Sequence, residues 1–120
     1  MSTLKIINGT IVTGGKTFVG DLLIRNGRIE HVGTDSPQVP EDSEIIDACG
    51  LYVSAGFIDM HTHGAGGADF MDGTVEAYLT AARMHAVHGT TLLYPTTLTS
   101  TNESLFASFE TYRKAEEQNT

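Results

Sequence analysis

Cysteine is almost absent: Cys49 stands alone, so no internal disulfide can staple the fold. A single thiol suits a reducing compartment. Beside Gly50 it reads as a small, buried, apolar residue. Positive charge is scarce too, with seven Lys and Arg against fifteen Asp and Glu and a formal net charge of -8. The few cations form no stripe, which excludes nucleic acid as a partner and disfavours an anionic membrane surface. No apolar run approaches the length of a membrane span, and the N-terminus shows no charged-then-apolar leader. A cytoplasmic protein with no membrane partner is expected.

What is present suits a folded chain. Its 120 residues are enough for one small domain and too few for most two-domain enzymes, and 40% hydrophobic content argues against disorder. Thirteen glycines, several paired as in Gly14-Gly15 and Gly66-Gly67, indicate tight turns. Residues 1–53 read as β structure. Leu4 to Ile7 forms a first strand ended by Asn8-Gly9, while Leu22–Arg25 and Arg28–Val32 flank Asn26-Gly27. Asn-Gly between two such runs is a strong hairpin signal, because both residues tolerate positive φ. His31 alternates with Ile29 and belongs to the strand surface. Pro37, Pro40 and two acids mark Ser36 to Ser43 as a solvated loop, followed by short strands at Glu44–Asp47 and Leu51–Val53.

After Val53 the pattern changes. Phe57 to His61 is a strand, and Gly64-Ala65-Gly66-Gly67 a flexible loop. Thr74 is placed as the N-cap of a helix whose apolar face is Val75, Leu79, Ala82 and Ala86, closed by His88-Gly89. Thr91–Tyr94 is a strand stopped by Pro95. A second helix starts near Ser100, whose spacing to Glu103 is that of a capping box. Leu105, Phe106, Phe109 and Tyr112 supply its buried face, and the polar tail from Lys114 frays. The order β-α-β-α with short apolar strands predicts a parallel pair joined by a helical crossover.

One pattern carries chemistry. His61 and His63, one residue apart on a strand, must project to the same side. Two imidazoles at a strand end, followed by a glycine loop that lets backbone approach closely, make half of a metal site; two surface histidines are the plainer alternative. Asp59 shares their strand face, where it either orients a ligating imidazole or makes a structural hydrogen bond. His85 and His88, three residues apart at a helix C-terminus, are explained by the helix dipole. Catalytic zinc takes three protein ligands and a water, and beyond Leu98 the chain has neither histidine nor aspartate.

Gly56-Phe57-Ile58-Asp59-x-His61-x-His63-Gly64 resembles the first-strand signature of the amidohydrolase superfamily. Within it, Gly67-Ala68-Asp69-Phe70-Met71-Asp72-Gly73-Thr74, His88-Gly89-Thr90-Thr91 and Pro95-Thr96-Thr97-Leu98-Thr99-Ser100 are similar to the N-acetylglucosamine-6-phosphate deacetylases. Ala55 departs from the proline that often precedes the glycine of this signature, a small loss of rigidity at the strand entrance.

The resemblance implies an α/β protein: residues 1–53 as part of a small β-sandwich, and residues 54–120 as the first two β/α units of a TIM-like (β/α)8 barrel. It implies the N-terminal portion of a longer enzyme that hydrolyses N-acetylglucosamine 6-phosphate to acetate and glucosamine 6-phosphate, dimeric when whole. His61 and His63 are the implied ligands of a divalent metal, zinc, with one or two ions. The remaining ligands and the aspartate general acid/base are expected beyond Thr120, so no catalytic residue is assigned and this portion alone is expected to be inactive. Arg83, Arg113 and Lys114 lie on helices away from the strand end, and no contact to the substrate phosphate is assigned. Two other readings stand beside this one: a non-catalytic metal-binding or oligomerising fragment, and an amidohydrolase acting on a cyclic amide or a nucleobase.

Overall fold

A computed structural model describes residues 2–119. The chain divides into a first unit up to Ala55 and a second from Gly56.

The first unit is a five-stranded sheet. Strands β1 (Thr3–Thr13), β2 (Lys16–Arg25) and β3 (Arg28–Gly33) form an antiparallel meander, and β4 (Glu44–Asp47) and β5 (Tyr52–Ser54) both pair with β1 in parallel. Positive φ at Gly14 and Gly15 turns β1 into β2, and the same conformation at Asn26 and Gly27 makes the second hairpin, as expected of Asn-Gly. Asn8-Gly9 does not end the first strand. Asn8 has φ 55° and sits in a bulge where the pairing with β2 shifts between Ile6 and Gly9, so β1 runs on to Thr13.

That bulge has a counterpart across the sheet. Between β4 and β5 the chain turns sharply at Cys49-Gly50, both at positive φ, and the Gly50 amide donates to the Asn8 carbonyl at 2.8 Å. Asp47 braces the turn by accepting from the Cys49 amide and from the Asn8 side chain. Cys49 is consequently exposed, not buried as its composition suggests, because the turn holds its side chain outward. The neighbouring Asp47 charge pushes its thiol above the ordinary range.

The Ser36 to Ser43 segment has no regular structure, yet its start is anchored. Ser36 donates to Asp21, and the buried Lys5 ammonium reaches Ser36 Oγ and the Pro37 carbonyl, each at 2.7 Å. Lys5 and Asp21 lie 3.6 Å apart. A buried ammonium needs such partners, and this one finds three oxygens.

In the second unit, β6 (Phe57–Thr62) runs parallel to β9 (Thr90–Pro95), with α1 (Val75–Val87) between them in sequence. The supposedly flexible glycine loop is ordered: β7 (Gly64–Ala65) and β8 (Ala68–Asp69) form a small hairpin turned by Gly66 and Gly67, both at positive φ. Thr74 caps α1 by accepting from the Ala77 amide, and His88 and Gly89 terminate it.

The core of this unit is Phe70, Tyr78, Ala81 and Ala115. Hence α1 buries Ala77, Tyr78 and Ala81 instead of the longer stripe through Val75, Leu79, Ala82 and Ala86. Three of those stripe residues line an open apolar cavity of about 560 Å³ between α1, β9 and α2 (Asn102–Gln118). Helix α2 begins one residue later than expected, with Thr101 as N-cap accepting from the Ser104 amide. Its buried residues are Ser108 and Ala115; Phe106, Phe109 and Tyr112 are exposed. Its last turn is helical through Gln118, and Ala115 packs in the core, so the tail is tied down that far. The Ser108 hydroxyl donates to the Phe70 carbonyl, leaving its oxygen to accept from Tyr78 at 3.2 Å. This chain satisfies the polar groups at the centre of the core.

Candidate metal-ligand site at the end of β6

Strand β6 ends at Thr62; His61 is its penultimate residue and His63 lies just past its end. The His61 and His63 rings lie edge to face with centroids 5.2 Å apart, so the two imidazoles are neighbours on one side of the chain. His61 is exposed and His63 half-buried.

His63 is held by backbone from the other strand. Its Nδ1 lies 3.0 Å from the Thr96 carbonyl oxygen, just past the end of β9. A carbonyl can only accept, so Nδ1 carries a proton, and in the neutral ring Nε2 keeps its lone pair. That is the tautomer a metal-binding imidazole adopts when a backbone carbonyl orients it from behind. Thr96 also donates its own amide to the Thr62 carbonyl at 2.8 Å. The two strand ends are thus tied twice, once through main chain at Thr62 and once through the His63 ring.

Asp59 makes a structural hydrogen bond, the second of its two readings. One carboxylate oxygen accepts from the His61 amide at 3.1 Å, and the other lies 3.7 Å from His85 Nδ1. The imidazole it faces is therefore that of His85. The pairing of β6 with β9 is irregular between Asp59 and Thr62, which breaks the simple alternation of faces. His88 turns back to the Met84 carbonyl at the end of its own helix and stays out of this cluster.

Two residues escaped the sequence reading. Thr96 acts through its carbonyl, which any residue type could supply, so nothing in its identity announces it. The helix dipole accounts for His85 in the sequence, yet the residue follows Ala81 by four and continues the stripe of Tyr78 and Ala81 toward β6. That stripe was masked by the longer apolar one beside it.

His61 and His63 fit a divalent ion as two imidazole donors, one with its free nitrogen already defined. Among the described residues no group of three or more His, Cys, Asp or Glu gathers to complete a shell. The large apolar cavity between α1, β9 and α2 includes neither histidine and is not this site.

No protein-family model matches the chain. It is 38% identical over 117 residues to a D-hydantoinase of Geobacillus stearothermophilus, an alignment that spans 92% of this chain and 23% of that protein. Among solved structures it matches N-acetylglucosamine-6-phosphate deacetylase from Pasteurella multocida with a TM-score of 0.86 and 28% identity, covering 98% of this chain and 31% of the other. A D-hydantoinase crystal structure matches with a TM-score of 0.61 and 37% identity over 94% of this chain and 24% of the other. The likeness is to the amidohydrolase superfamily. The chain spans roughly a quarter of the curated D-hydantoinase, at 23%. Amidohydrolases are generally dependent on a divalent metal, in keeping with the free Nε2 of His63.

Proposed function

We propose that this chain is the N-terminal portion of a metal-dependent amidohydrolase that removes the acetyl group from N-acetylglucosamine 6-phosphate. On this reading residues 1–53 contribute to a small β-sandwich and residues 54–120 are the first two β/α units of a (β/α)8 barrel. The observation that carries it is the paired imidazoles, 5.2 Å apart, with His63 locked to the Thr96 carbonyl at the end of β6. In β/α barrels that end of the strands is where chemistry is done.

A zinc ion held there would lower the pKa of a water and polarise the acetamide carbonyl. His63 would present Nε2, while its Nδ1–H stays hydrogen-bonded to the Thr96 carbonyl and fixes the ring plane. His61 would add a second donor from the end of β6. Asp59 holds the backbone just ahead of the pair through the His61 amide. Removal of the water proton and its return to the leaving amine need a group such as aspartate, for which this reading looks to sequence beyond Thr120.

Sequence and geometry point to different substrates within the superfamily. Identity favours hydantoinases, whereas backbone agreement favours the deacetylase by 0.86 to 0.61 in TM-score. The deacetylase reading is preferred because a glycine-rich hairpin follows directly on His63, and Gly67 to Thr74, which supplies its second strand, is one of the segments similar to deacetylases. The 38% identity to D-hydantoinase supports ring opening of a cyclic amide as the second reading. Acetate release from N-acetylglucosamine 6-phosphate, measured beside hydantoin and dihydropyrimidine hydrolysis by the full-length polypeptide containing this segment, separates the two. Zinc-dependent acetate release is expected, and ring opening without it would reject the deacetylase assignment.

A further inference from the structure

His85 lies on α1, yet its ring is largely buried and reaches the strand that carries the candidate ligands. Its Nε2 is 3.0 Å from Thr62 Oγ1, and its Nδ1 is 3.7 Å from Asp59 Oδ2. Both partners continue into the backbone of the strand tip. Asp59 Oδ1 accepts from the His61 amide at 3.1 Å, and Thr62 Oγ1 lies 3.3 Å from the Gly64 carbonyl oxygen. One imidazole therefore spans the two side chains that hold the peptide on either side of His61 and His63. We propose that His85 is a positioning residue for this pair: it touches neither ring and sets the backbone from which both project.

The alternative of plain helix docking is weaker. Helix α1 is already fixed to the core through Tyr78 and Ala81, and an apolar side chain at position 85 would serve that purpose without a hydrogen bond to Thr62. A largely buried imidazole that bonds Thr62 and faces Asp59 costs more to place than leucine, and it adds direction. Both contacts fall beside the irregular stretch between Asp59 and Thr62, where β6 and β9 pair poorly and the strand has fewer ladder bonds of its own.

The role rests on the reading of His61 and His63 as ligands, and the test keeps the two apart by using metal-free protein first. Amide hydrogen exchange at His61 and imidazole 15N shifts at His61 and His63 are recorded in the full chain and in H85L and H85Q. H85L is expected to speed exchange at His61 about tenfold, as the loss of one supporting hydrogen-bond network allows, and to shift the His63 nitrogens toward a mixture of tautomers. H85Q, long enough to reach Thr62 with an amide, is expected to restore most of both signals. Should H85L fail to fold, H85N takes its place, since it is polar and too short to reach Thr62. Unchanged exchange and unchanged 15N shifts in a folded H85L or H85N, with only a lower Tm, would overturn the proposal. Zn2+ titration against a competing chelator then examines the ligand reading: a loss of about tenfold in affinity in H85L is expected. The titration uses the full-length polypeptide containing this segment; no Zn2+ binding there, with the exchange effect intact, would reject the ligand reading and reduce the role of His85 to ordering the two imidazoles.

Discussion

Gly64 follows His63 directly, and a Cβ built on it would lie 2.1 Å from the Ala68 carbonyl oxygen and 2.8 Å from the Asp69 Cα. Both obstacles are backbone, so no rotamer change relieves them. Gly64→Ala is therefore expected to destabilise the second unit by about 1–3 kcal/mol and to splay the β7–β8 hairpin from the strand tip. Thermal denaturation measures the first effect; a Tm equal to the parent would show that the hairpin yields freely. At this scale the site was half legible. The alternation of His61 and His63 predicted neighbouring rings, and the rings are neighbours. What holds them is legible only in part: Asp59 makes the structural hydrogen bond named as one of its two readings, to the amide two residues on, whereas Thr96 acts through main-chain atoms that no residue type announces.

Elements report on longer-range ties. Lys5 on β1, Asp21 on β2 and Ser36 in the loop after β3 join three segments through one cluster. The hydrogen bond from Ser36, opposed by burial and helped by the Asn8 amide and Lys5, holds the Asp21 carboxyl below its ordinary value of 3.8. A depressed folded value means that the stabilisation is complete above about that ordinary value and is lost as pH falls through the folded one. The unfolding midpoint of the first unit in urea should thus drop on acidification below that ordinary value. Asp21→Asn should be less stable at neutral pH and lose that part of the slope; an identical pH profile in the variant would refute the linkage. The elements themselves were largely readable: Asn26-Gly27, Thr74 and Gly89 do what their residue types suggest. Two other signals misled for physical reasons. Asn8-Gly9 carries the same pair of residues as a hairpin turn, but β4 and β5 lie along one edge of β1 and turn that conformation into a bulge. The aromatic stripe of α2 looked like a core and faces outward, because small Ser108 and Ala115 allow the close approach that Phe106 and Phe109 would prevent.

On the scale of the whole molecule, much apolar surface meets water. In the second unit Phe57, Ile58, Met60, Leu92 and Tyr94 are all exposed on a sheet of two strands. Surfaces of this kind associate unless something covers them. Sedimentation velocity on the isolated chain is expected to show self-association above the 12.9 kDa monomer as concentration rises. A single monomeric species at every concentration would show that these residues need no cover. The pattern of short, non-alternating apolar strands did forecast a parallel pair, and its β6–β9 pairing is present. Sequence periodicity could not reveal which helix faces would be packed, since α1 offers two apolar stripes and only the arrangement of Phe70 and Ala115 chooses between them.

The double tie between Thr96 and the tip of β6 has a consequence for anyone who transplants this site. Grafting Phe57 to Gly64 onto a foreign scaffold would move both imidazoles but leave behind the oxygen that decides which nitrogen of His63 is bare. The transferable module is the strand together with its neighbour's exit, and recombination that separates them would deliver histidines of undefined protonation.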